Sequence, residues 1–103
     1  PKEEDFGLKA QLRRAAVSCE SNIAEGETRF TNASKINFFI DARSSAAEVQ
    51  TQLMVIKDVY PELNNESSTL INKYEIFAKQ TNSLISFRRK STLITQQPKN
   101  LTT

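Results

Sequence analysis

Two glycines and three prolines are all that this 103-residue sequence offers for reversing the chain. Pro1 and Pro98 stand near its ends, so Pro61 is the one proline that interrupts the interior. Few reversals over about 100 residues mean few, long elements, and long elements of this make-up are helices. The balance of 38% hydrophobic and 25% charged residues is that of one globular domain.

Apolar residues recur at helical spacing in three segments. The first spans about residues 1–30, with Leu12, Ala16, Cys19, Ile23 and Phe30 on one stripe. Pro1 suits a first helical position, and Glu3, Glu4 and Asp5 complement the positive end of the dipole. Gly26, late in this segment, leaves room for another helix to come close. Thr31, Asn32 and Ser34 carry side chains suited to capping. The second segment spans about 33–59, with Ile36, Phe39, Ile40, Arg43, Ala47, Gln50, Leu53, Met54 and Lys57 along one side. Pro61 closes it, because its ring cannot continue the hydrogen-bond ladder. Asn64 or Asn65 can cap the third segment, about 66–91, whose stripe is Leu70, Tyr74, Phe77, Thr81, Leu84 and Ile85.

The expected architecture is all-α: three helices of about 25 residues, roughly 37 Å each, in an up-down antiparallel bundle over residues 1–92. Residues 93–103 are polar, contain Pro98 and hold no sustained period, so a disordered tail is expected there. Further apolar residues flank each stripe: Val17 and Ala24, Phe38 and Val49, Ile71 and Ala78. Stripes this wide require a fourth helix or a second subunit as cover.

Composition narrows the chemistry. The absence of histidine removes the commonest general base and metal ligand. One cysteine alone supports neither a zinc site nor an internal disulfide, and a lone buried thiol suits a reducing cytoplasm. The two glycines stand nineteen residues apart, so no Gly-rich phosphate loop exists. No apolar run approaches the ~20 residues that span a membrane. The charged opening, Lys2 to Asp5, is unlike a secretory leader. A carboxylate site built on Glu25 and Glu48 is the remaining enzymatic option. No enzyme, metal or cofactor is expected.

Two constellations remain. Ser18, Asn22, Glu25 and Arg29 share one face of the first helix, and Ser45, Glu48 and Gln52 share one face of the second. Packed antiparallel, these rows can meet as a register-fixing polar network or as a ligand site. The second constellation is basic: Arg13 and Arg14, and Arg88, Arg89 and Lys90. These residues serve phosphate contact, or else solvated charge and dipole complementation in a last turn. Net charge is only +2, so nucleic-acid binding depends on clustering in the fold. Cys19 reads as a small buried hydrophobe, and Phe6, Phe38, Phe39, Tyr74, Phe77 and Phe87 as core or subunit interface rather than stacking platforms.

The run Gln11-Leu12-Arg13-Arg14-Ala15-Ala16-Val17-Ser18-Cys19-Glu20-Ser21-Asn22-Ile23-Ala24-Glu25-Gly26 carries a resemblance. It is similar to the signature of a family of bacterial four-helix bundle proteins. That family was first noted as ribosomal-protein-like frames in intervening sequences of large-subunit ribosomal RNA genes, and it includes the accessory variability determinant of diversity-generating retroelements. Ser45 to Leu53, then Lys57-Asp58, and the opening Phe6-Gly7-Leu8 match in the same order, so the resemblance covers roughly residues 1–90. Cys19 and Glu20 replace an apolar residue and a proline that are frequent in the family. Family members place another amphipathic helix before the Pro-Lys-Glu-Glu turn at which this sequence begins, so the first family helix is expected to be missing here.

The resemblance implies a homopentameric ring and, for the retroelement branch, binding to nucleic acid and to a reverse transcriptase. The functional expectation is a cytoplasmic, self-assembling bundle that meets RNA or DNA through Arg13, Arg14, Arg29, Arg88, Arg89 and Lys90. The alternative is an adaptor whose apolar groove docks a partner helix.

Overall fold

The computed structural model describes residues 3–96, with side chains from 7 to 93. Three α-helices account for nearly all of it: α1, Glu3–Glu27; α2, Asn32–Val59; and α3, Asn64–Gln96. No strand occurs among the described residues. The fold is an all-α, up-down antiparallel bundle. Ser18 of α1 meets Ser45 of α2, while Gly26 meets Phe38 and Phe39, so these helices run in opposite directions. Gln50 reaches the Ile71 carbonyl and Arg43 reaches Asn82, which sets α3 antiparallel to α2 in turn.

Each reversal follows from local chemistry. The Thr31 hydroxyl accepts from the Ser34 backbone N–H at 3.1 Å and so caps α2. At the end of α1, the Lys35 ammonium donates to the Gly26 and Glu27 carbonyls at 3.4 and 2.9 Å. A cation is favoured there by the helix dipole. Pro61 ends α2 as expected and opens a single 3-10 turn, Pro61–Leu63. That turn runs directly into α3. Asn64 is already helical, with φ −56° and ψ −46°, and does not act as a flanking cap.

The buried lines have a 3.5-residue period. On α1 they pass through Leu12, Ala15, Cys19, Asn22 and Gly26; on α3 through Ser67, Ile71, Tyr74, Ala78, Thr81, Ile85 and Arg88. The steps alternate between three and four, the pattern of helices supercoiling left-handedly around each other. On α2 the line is Phe39, Ala42, Ala46, Val49 and Leu53, all buried. It is turned from the expected stripe, since Ala47 is exposed and Met54 is 57% exposed. The alanines at 42 and 46 admit close neighbours but carry little hydrophobic signal. Larger residues beside them drew the stripe off line.

The helices form an open layer, not a closed triangle. α2 packs against both α1 and α3, while no α-carbon of α1 comes within 8 Å of α3. The Cα extents, 69 × 21 × 13 Å, agree with a layer about one helix thick and slightly twisted. One face of the layer is a groove. Its floor is the buried line of α2, and Leu12 and Ala16 from α1 with Tyr74 and Phe77 from α3 pack over it. Leu70 remains 39% exposed on its rim. This half-covered face corresponds to the surplus apolar width seen in the sequence.

Two expectations require correction. Phe30 does not belong to the core of α1. The helix ends at Glu27, and Phe30 stands in the following loop, 102% exposed. α3 does not stop near Ser91 but runs to Gln96. The start of α2 gives its extension a neighbour, because Ala33 and Ile36 line a cavity with Arg89, Thr92 and Leu93. The rest of the expected tail, 97–103, lies outside the described residues, as does the Phe6 side chain.

Candidate nucleic-acid interface

The polar rows of α1 and α2 meet in part. The Ser18 and Ser45 hydroxyls lie 2.8 Å apart across the interface. The Asn22 amide donates to the Ser18 hydroxyl at 3.0 Å and to the Ser18 carbonyl at 2.9 Å. These three half-buried residues fix the register of the two helices. Glu25 turns away and pairs with Arg29 at 2.9 Å, at the surface. Glu48 is exposed, and the Gln52 Oε1 atom is buried without a partner among the described residues. With Ser18 opposite Ser45, Glu48 stands opposite Ala15, ten residues or roughly 15 Å along the axis from Glu25. The two carboxylates do not form one site. Among the described residues, no three Cys, Asp or Glu side chains converge so as to hold a metal ion.

Cys19 is buried, 1% exposed, between Ala15 and the α2 line. Its thiol faces a cavity edged by Glu20, Lys73 and Tyr74. Burial pushes its pKa up to about 11, and the charges of Glu20 and Glu48 add to the rise. The neutral thiol is therefore the form the fold stabilises. The folded state holds that proton longer than the unfolded chain, whose ordinary value is 9.0. The contribution of Cys19 to stability should be flat below pH 9 and fall as pH rises from 9 towards 11. Tyr74, also raised by burial, extends the fall upward. Thermal unfolding across pH 8–11 checks this: Cys19→Ala should show a shallower decline than the wild-type chain.

The six arginine and lysine candidates separate into two places. Arg13 and Arg14 are exposed on α1. Cys19 shares a cavity with Tyr74, which sets Arg13 level with the early part of α3. Arg88 is about 20 residues further along, roughly 30 Å away. Arg29, in contrast, stands at the same end as Arg88, Arg89 and Lys90. It lies over Phe38 of α2, two residues from Ile36, which lines a cavity together with Arg89. Residues 25–43 and 82–96 make up this end and hold six basic residues against three acidic ones, a net +3 that exceeds the +2 of the whole chain.

The setting of the cluster excludes one explanation. Cations in the last turn of a helix complement its dipole, but the last turn of α3 has no basic residue. Arg88, Arg89 and Lys90 sit six or more residues before Gln96, where the dipole contributes little. No carboxylate pairs with them among the described residues; the ion pairs there are Glu25–Arg29 and Glu75–Lys79. Two arginines are stacked on rings. The Arg29 guanidinium lies 4.6 Å from the Phe38 centroid, and that of Arg88 5.2 Å from Phe87. Pairing across a helix break, as in Arg29 over Phe38, cannot be read from helical spacing. The Lys35 cap at the same end also went unseen, since it depends on where α1 stops.

The fold and this surface define a class: small helical bundles built by 3.5-periodic seams, with charge concentrated at one end. The chain belongs to the 23S rRNA-intervening sequence protein family, whose model matches residues 1–83. The cluster at Arg88–Lys90 lies past the matched stretch. No curated protein and no solved structure matches the chain. No helix among the described residues is long and apolar enough to cross a membrane.

Proposed function

We propose that this chain is a non-enzymatic, self-assembling bundle that binds RNA or DNA through the basic end formed by Arg29, Arg88, Arg89 and Lys90. The observation that carries the reading is the run Arg88, Arg89 and Lys90, with Arg89 and Lys90 exposed, no carboxylate paired with any of the three among the described residues, and the end of α3 six or more residues away. The family's name, tied to ribosomal RNA, favours RNA. Arg13 and Arg14 form a lesser, separate contact. Five copies in a ring and a reverse-transcriptase partner rest on the family resemblance alone. The reducing cytoplasm suits the buried free thiol of Cys19.

The test is binding to a fluorescent RNA oligonucleotide across a salt series, with the mass in solution measured alongside. Four phosphate contacts on a single strand give a slope of log K on log salt near −3, or a loss of about 50-fold between 50 and 200 mM. A mass several times 11.6 kDa accompanies self-assembly. A second reading has its own observation, the half-covered groove with Leu70 on its rim. An adaptor that docks a partner helix there would bind no RNA, and its complex would barely respond to salt.

A further inference from the structure

Phe30 is a large apolar side chain that the fold leaves wholly in water, 102% exposed. The loop that carries it is short and tied at both ends. Thr28 and Arg29 N–H groups donate back to the Glu25 and Gly26 carbonyls, and Thr31 caps α2. The ring is thus held out from the layer beside Arg29. Two further flat surfaces lie at this end. The guanidinium of Arg29 covers Phe38 while one edge donates to Glu25, and the half-buried Arg88, its Nε buried, sets its guanidinium over Phe87, itself 57% exposed. Ile36 and Arg89 line one cavity and Arg43 donates to Asn82, so Phe38 and Phe87 stand at one level of a layer only 21 Å wide.

Resting on the nucleic-acid reading above, we propose that the basic end takes a single strand, with unpaired bases stacking on the Phe30 ring and on the ring-supported guanidinium planes of Arg29 and Arg88. Bases stack on aromatic rings and on arginine planes alike, and cations beside them neutralise the phosphates. The width of the layer suits a short single-strand site of about four nucleotides or more. A duplex keeps its bases paired and offers these rings nothing to stack. A second copy of the chain is a poor occupant. Meeting this end through Phe30 would bring two net-positive surfaces together.

The experiment compares Phe30→Ala with the wild-type chain on two probes, a fluorescent twelve-nucleotide oligouridine and an RNA hairpin duplex of equal length. Mass in solution is recorded for both proteins. Phe30 is fully exposed, so the variant should fold normally. The expected result is tighter wild-type binding to the single strand than to the duplex. Phe30→Ala should weaken single-strand binding roughly tenfold. Duplex affinity, salt slope and mass should not change, since no charge is removed. Equal affinity of the wild type for both probes overturns the proposal, as does unchanged single-strand affinity in Phe30→Ala. Both results leave the basic-end reading standing. A fall in mass in the variant shows Phe30 to be a subunit contact and also overturns it. Failure of the wild type to bind either probe at low salt removes the nucleic-acid reading itself.

Discussion

Phe39→Ala is expected to lower the unfolding free energy by about 3–5 kcal/mol, the range for truncating a buried aromatic ring. Phe39 is 0% exposed and lies early in α2, against Gly26 near the end of α1. Its ring occupies space that Gly26 leaves open. A Cβ at residue 26 would come within 2.6 Å of Phe39 Cε1 and 3.1 Å of Phe38 Cβ. The glycine costs helix propensity, and the fit of the ring against α1 offsets it. Removing the ring leaves a cavity between two stiff backbones that already meet through small residues, so collapse around it is limited. Small domains hold only about 5–15 kcal/mol in total, so this one change consumes a large share. Urea unfolding at neutral pH checks it, and the dependence on denaturant should stay the same. A loss below about 1 kcal/mol would mean that Phe39 is not the packed contact between α1 and α2.

The same pair shows what the sequence could and could not tell. Gly26 stood out as a point of close approach because a lone glycine late in a helix needs a reason, and Phe39 supplies it. Capping by Thr31 and termination by Pro61 were legible because both act within a few residues of themselves. The buried line of α2 was harder to read. A helix with neighbours on two sides has a broad buried face, and its centre here falls on Ala42 and Ala46, which no hydrophobicity pattern emphasises. Ser18, Asn22 and Ser45 shared spacing with Glu25, Glu48 and Gln52, yet only the first three join across the interface. Spacing fixes which face a residue takes. The longitudinal register between helices decides whom it meets, and that is set by packing.

Substituting Arg88, Arg89 and Lys90 together by glutamine should weaken RNA binding by about 100-fold at moderate salt and flatten the salt slope by roughly two. The basis is their position. Arg89 and Lys90 are exposed, and the three residues lie inside α3 with no carboxylate among the described ion pairs. Glutamine keeps helix propensity and most of the Arg88 stem, so the bundle should survive, with unchanged helical circular dichroism and mass. Arg13→Gln with Arg14→Gln is the matched control. It removes two charges some 30 Å from the cluster and should weaken binding only a few-fold. If the triple variant keeps wild-type affinity while the control loses it, the contact surface lies on α1 and the basic end is not the site. If neither variant binds more weakly, phosphate recognition is not what these cations do. The salt-insensitive groove between α1 and α3 then becomes the functional surface, because it is the remaining face whose exposure the fold itself does not account for.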